Sequence, residues 1–151
     1  MFSVDEIKEA IDSSPSESGI HALFVPLNDN WAIKLYEDEY QRDAAYSVQE
    51  QLADYCLAPD TFNTIDLPDC EGYSYGYITE IIEPIIIGIS PYHTKQAKEN
   101  GDYVSQWEKD WEDVIVKYHK EVNDVLGETL DDDHAWNWGT KKGKLMLLDF
   151  Y

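Results

Sequence analysis

The chain has 151 residues and a net charge of −20, from 31 Asp and Glu against 11 Lys and Arg. Its hydrophobic fraction of 43% and aromatic fraction of 13% supply enough apolar material for a packed core, which excludes general disorder. No apolar run approaches the roughly 18 residues of a membrane helix, and so acidic a surface repels nucleic-acid phosphates. Neither a membrane role nor direct nucleic-acid binding is therefore expected.

The length predicts one domain, residues 19–151, preceded by a helix and linker over residues 1–18. The start, MFSVDEIKEA, is acidic and amphipathic, unlike a secretory signal or transit peptide. Cys56 and Cys70 form no metal-like spacing and need no disulfide. A cytoplasmic protein is the expectation. The charge favours partners with a basic surface, among them a nucleic-acid-binding protein whose site the acidic face would occupy.

Residues 3–12 predict a short amphipathic helix, with Val4, Ile7 and Ile11 on one face. Ser3 is placed to cap it, with Glu6 three residues on. The segment SSPSESG (13–19) reads as linker. Ile20–Leu27, the turn 28–30 and Trp31–Tyr36 predict a β-hairpin. Glu37 to Leu57 is helical in pattern, with Ala45, Val48, Leu52, Tyr55 and Cys56 on one face and Pro59 beyond its end.

A strand at 61–66, a turn at 69–72 and a buried strand over Tyr73–Ile82 follow, with Pro84 as its end. After Pro91 the period changes. Val104, Trp107, Trp111, Val114, Ile115, Tyr118, Val122, Val125 and Leu126 form a long helical stripe that stops at Gly127. The tail reads as a loop and a hairpin with arms Ala135–Trp138 and Lys144–Leu148. Helices and hairpins alternate without a βαβ rhythm, so the fold class is α+β.

The tail carries the most specific pattern. Asp132, His134 and Asn137 form Asp-x-His-x-x-Asn, and Asp149-Phe150 follows twelve residues after Asn137. Upstream, WAIKLY places Lys34 in a strand, and YITEIIEP follows the helix. This order of motifs resembles the protein-kinase-like superfamily, in its atypical and aminoglycoside-phosphotransferase-like form. It covers Gly19 to Tyr151. The Ala-Ala-Tyr start at 44–46 and the short lobe also resemble early protein kinases of short-tailed phages.

The resemblance implies a truncated kinase-like fold, with a small antiparallel sheet lobe and a reduced helical lobe. It implies ATP and Mg²⁺ as cofactors. Lys34 would hold the nucleotide phosphates, Asp132 would orient the attacking hydroxyl, and Asn137 and Asp149 would bind the metal. Gly19 would lie in the phosphate-covering loop, and the backbone around Glu80–Ile82 would face adenine. Glu50, sixteen residues after Lys34, would be the helix carboxylate that pairs with it. His134 would hold the loop.

Three departures stand beside this. Gly19 is the only glycine of its loop. Glu50 lies off the Ala45/Val48/Leu52 face, whereas Gln49 lies nearer to it and cannot form an ion pair. Tyr151 stands where the third residue of Asp-Phe-Gly would be. The resulting expectation is a pseudokinase-like protein, of phage type, that binds a host protein and inhibits or redirects it, with residual Mg-ATP binding. The alternatives are an active minimal kinase acting on Ser or Thr of a host protein, and an acidic nucleic-acid mimic. His21, His93 and His119 show no metal spacing.

Overall fold

The N-terminal residues already show how local sequence becomes structure. In the computed structural model, which describes residues 2–13, 17–18, 22–68, 72–84, 106–128, 138–142 and 144–148, helix α1 spans Val4–Ser13. Ser3 Oγ accepts the Glu6 N–H at 3.1 Å, and Glu6 Oε1 accepts the Ser3 N–H at 3.4 Å. This reciprocal pair satisfies two donors that the first turn would otherwise leave open. The buried face of α1 centres on Ile7, which is fully enclosed.

The linker expected at 13–19 contributes a short strand, β1 (Glu17–Ser18), paired to β2 (Leu23–Pro26). Strand β3 (Trp31–Tyr36) completes the expected hairpin. Its turn is closed by Asn28, whose Oδ1 accepts the N–H groups of Asn30 and Trp31, both at 2.8 Å. An asparagine is suited to this because its short side chain imitates the backbone acceptor of a turn.

Helix α2 (Glu39–Ala53) starts at the cap Asp38 and ends earlier than its periodicity suggests. Cys56 adopts φ 57°, and the Leu57 N–H returns to the Leu52 carbonyl at 2.9 Å. That left-handed closure turns Leu57 and Ala58 into the core and leaves Tyr55 and Cys56 outside. The two residues expected on the buried face are thus exposed, because the helix has already ended.

Strand β4 (Thr61–Asp66) and strand β5 (Tyr75–Glu80) complete an antiparallel five-stranded sheet in the order β1-β2-β3-β5-β4. The central strands β3 and β5 have both faces covered. Ile33 and Ile78 are register partners in a cluster with Ile7, Val25, Leu35 and Leu67, on the α1 side. Lys34 and Tyr77 are also partners and project to the opposite side, towards α2. Burial on both faces explains why β5 is buried at four consecutive positions. Gly76 is closely packed here: a Cβ would lie 2.9 Å from Ile33 Cδ1 and Leu35 Cδ2, so these side chains would have to shift.

Pro84 does not simply end β5. Strand β6 (Glu83–Pro84) pairs with β7 (Trp138–Lys141), which pairs with β8 (Lys144–Leu147), giving a second sheet of three strands. Lys141 pairs with Lys144, so the hairpin turn is tighter than expected, and Lys142 has φ 52°. Helix α3 (Gln106–Leu126) stops at Gly127, whose φ is 71° and whose N–H bonds to the Asn123 carbonyl at 2.9 Å.

A second core joins the two parts. Leu52, Leu57 and Ala58 meet Val122 of α3 and Leu145 and Leu147 of β8, with Val48, Tyr118, Val125 and Leu126 around them. The Leu147 N–H bonds to the Leu57 carbonyl at 2.8 Å, and Gln51 Nε2 donates to the Val125 carbonyl at 3.1 Å. The chain is thus α+β, with its long helix and terminal hairpin docked on the end of α2. Among the described residues, no helix is long and apolar enough to cross a membrane.

Candidate functional site

The centre of interest is the α2 side of β3. Pairing with β2 and β5 on its two edges holds β3, so the direction of each side chain along it is determined by the pleat. Lys34 therefore projects on the same side as Tyr77 of β5. Its Nζ donates to the Leu148 carbonyl at 2.7 Å and lies 5.9 Å from the centre of the Tyr77 ring. The two residues of this hydrogen bond are 114 positions apart. Leu148 is the last residue described before Asp149 in the sequence.

Gly19, Asp132, Asn137 and Asp149 lie outside the described residues, as do Asp69, Cys70, His134, Trp136 and Tyr151. Lys34, Glu50, Glu80 and Ile82 are described, and each has a definite setting.

Glu50 is exposed on α2. It makes no ion pair with Lys34. Its neighbour one turn earlier is Tyr46, whose phenol is held above its ordinary pKa by burial first, with the Glu50 carboxylate adding to the rise. The helix phase explains this placement, since a 100° step from buried Gln49 carries Glu50 out of the sheet-facing side.

Gln49 occupies the inward position and is fully buried. Its Nε2 donates to the Thr79 Oγ1 at 2.7 Å and to the Pro59 carbonyl at 2.9 Å. Its Oε1 accepts from the Tyr77 hydroxyl at 2.8 Å. Both donors of the amide are used, and every contact is neutral. The Tyr77 ring is further enclosed by Tyr36, stacked at 6.1 Å, and by Tyr46, edge-on at 5.4 Å. A buried amide with these partners avoids the desolvation cost that a carboxylate would meet in the same place.

The connector after β5 is held from two sides. The Glu80 N–H donates to the Asp60 carbonyl at 2.9 Å, and the Ile81 N–H to the Asn30 carbonyl at 2.8 Å. The Glu80 carboxylate receives Lys141 Nζ at 2.5 Å, across to the second sheet. That hydrogen bond, against an opposing effect of burial, raises the Lys141 ammonium above its usual pKa; the nearby negative charges of Glu80 and Asp60 add to the rise. Of the connector positions expected to face adenine, Glu80 and Ile81 have their amides committed to the protein itself. Ile82 is half-buried beside them.

Sequence reasoning missed two buried polar groups. Arg42 is 4% exposed and bonds to Asp43, Asp66 and the carbonyls of Ile65 and Gly76. Burial pulls its pKa down, and the carboxylates of Asp43 and Asp66 more than offset that. The other is the Gln49–Tyr77–Thr79 network. Its only trace in the sequence is a glutamine at a core-facing helical position and two hydrogen-bonding side chains at i and i+2 of a strand.

What this arrangement offers chemically is a half-buried ammonium on a rigid strand, backed by an aromatic ring and set against a backbone carbonyl. Such a group attracts an anion more strongly than a solvated surface lysine does. Among the described residues no cluster of three or more His, Cys, Asp or Glu could hold a metal ion. No known protein family, curated protein or solved structure matches the chain.

Proposed function

We propose that the chain is a kinase-like protein that holds a nucleoside triphosphate at Lys34, between the five-stranded sheet and the terminal hairpin. It acts on a protein partner by binding, and inhibits or redirects it. The carrying observation is the 2.7 Å bond from Lys34 Nζ to the Leu148 carbonyl. It supports a phosphate site because the resemblance to kinase-like proteins implies that the strand lysine and the acid at 149 share one cleft. The antiparallel sheet, with α2 inserted after the lysine strand, also fits that reading.

The absence of a Lys34–Glu50 ion pair favours binding over turnover. Phosphoryl transfer relies on accurate placement of the phosphates, and kinases use a lysine–glutamate pair for it. Here the inward position of the helix is a neutral amide. The protein partner is one with a basic surface, matched to a net charge of −20. The metal chemistry of the reading belongs to Asn137 and Asp149, and no step is assigned to them.

Titration calorimetry with ATP and Mg²⁺ tests the nucleotide half of the proposal. Binding by the wild type and its loss in Lys34→Met are expected. No heat with either protein overturns it. Label transfer from ATP to the protein or to a lysate, abolished in Asp132→Asn, would instead establish an active kinase. Salt-sensitive binding to a DNA-binding protein without any nucleotide response would leave the acidic mimic.

A further inference from the structure

We infer that Gln49 and Tyr77 are positioning residues for Lys34, and that this aromatic and amide relay stands in place of a carboxylate on α2. The inference rests on the reading of Lys34 as a phosphate ligand for its functional meaning, but its geometry stands alone. Lys34 and Tyr77 are cross-strand partners, so their side chains leave the sheet side by side. The ring lies 5.9 Å from Nζ, within the range of a cation–π contact. The ring's own tilt is determined elsewhere: its hydroxyl is anchored on Gln49 Oε1 at 2.8 Å, while Tyr36 and Tyr46 enclose it.

Gln49 is in turn oriented by two acceptors, Pro59 O and Thr79 Oγ1. The amide therefore has its NH₂ directed at Pro59 and its oxygen at Tyr77. A carboxylate at position 49 would face the Pro59 carbonyl without a proton to share, an unfavourable contact in a buried setting. This explains why the inward residue is glutamine.

The consequence is a distinct dependence on substitution. Tyr77→Phe keeps the ring and removes only its anchor. Gln49→Leu removes the anchor from the other side. Both loosen the ring against which the ammonium rests. Neither touches a ligand directly.

The test reads the Lys34 ammonium itself by ¹⁵N NMR, assigned by its disappearance in Lys34→Arg. The wild type should show an ammonium signal shifted by the adjacent ring away from those of surface lysines. In Tyr77→Phe and Gln49→Leu, with amide spectra confirming the fold, that signal should move towards the surface lysines. An unchanged signal in both folded variants overturns the inference. Should Gln49→Leu fail to fold, Tyr77→Phe alone decides it.

A second arm adds ADP or adenosine. Both variants should bind ADP roughly three- to tenfold more weakly, the scale of one lost hydrogen bond, with adenosine affinity unchanged. A general structural defect would weaken both ligands alike, and that result also overturns the inference. If the wild type ignores ADP altogether, the nucleotide reading fails, and the NMR arm still decides whether Tyr77 and Gln49 position the lysine. Gln49→Glu adds a control by pH. Buried and raised in pKa, its carboxyl should destabilise the fold at neutral pH and less so in acid, where it is protonated. A more stable Gln49→Glu protein at neutral pH would mean that a carboxylate is welcome there, and would overturn the inference.

Discussion

Cys56 and Gly76 carry backbone or packing constraints that substitution exposes directly. Cys56 sits at φ 57° on the surface, at the point where the chain leaves α2. A left-handed conformation costs a side-chain-bearing residue about 1–2 kcal/mol, and glycine escapes that cost. Cys56→Gly should raise stability by about 0.5–1 kcal/mol after the entropy of the unfolded glycine is allowed for. A urea titration with unchanged slope and a higher midpoint is the expected reading. Gly76 is the opposite case. Its missing Cβ is the space into which Ile33 and Leu35 pack, and the Lys34 carbonyl lies 3.0 Å from that point. Gly76→Ala should cost about 1–3 kcal/mol, because two branched side chains and a strand backbone must shift together. A midpoint within error of the wild type would show that the sheet yields more easily than its packing implies.

At the scale of elements, the two helices flanking the first sheet are attached by different physics. Helix α1 is held by apolar burial around Ile7, with Phe2, Ala10 and Ile11 packed alongside. Ile7→Ala should cost about 2–4 kcal/mol and expose the N-terminal segment to limited proteolysis before the rest of the chain. Helix α2 is held by directional polar contacts as well. Arg42 reaches from it to Asp66 at 3.0 Å and to the Gly76 carbonyl at 3.1 Å, bracing the β4 and β5 edge. Its guanidinium also lies 5.7 Å from the Tyr75 ring. Arg42→Met keeps most of the apolar stem and removes the fork. A loss of about 2–3 kcal/mol is expected, since charge-assisted bonds and a buried carbonyl acceptor are lost together. Guanidinium-induced unfolding measures it, and a loss below about 0.5 kcal/mol would mean that the exposed carboxylates contribute nothing.

For the whole molecule, charge governs behaviour. With a net charge of −20, the folded chain concentrates repulsion that the expanded chain relieves. Raising salt from about 0.01 M to about 0.15 M shortens the screening length from about 30 Å to about 8 Å, and should raise the melting temperature. Alkali should act the other way. Tyr46 and Lys141 both hold their protons more tightly when folded than at their ordinary 10.0 and 10.5. Their contribution to stability is therefore complete below those ordinary values and is lost as pH rises through the folded ones. Denaturation midpoints should fall above about pH 10, and Lys141→Met should flatten part of that fall. The Lys141–Glu80 pair spans the two sheets, so its loss should also loosen the contact between them.

The order of amino acids by itself determined the elements whose signals are local. The Ser3–Glu6 pair announced α1, Asn28 announced the first hairpin, and Gly127 announced the end of α3. Each rests on interactions within about four residues, which a sequence displays openly. The position of Lys34 on a strand was legible for the same reason. Its neighbours were not. That Lys34 meets Leu148, that Gln49 holds Tyr77, and that Arg42 crosses to Asp66 are facts of long-range packing. The end of α2 was also decided there: the periodicity continued through Cys56, but Leu57 and Ala58 gain more by turning into the core shared with Val122 and Leu147. Only the tertiary structure could choose between two favourable local courses, because the apolar surface that settles the choice comes from a helix and a hairpin far along the chain.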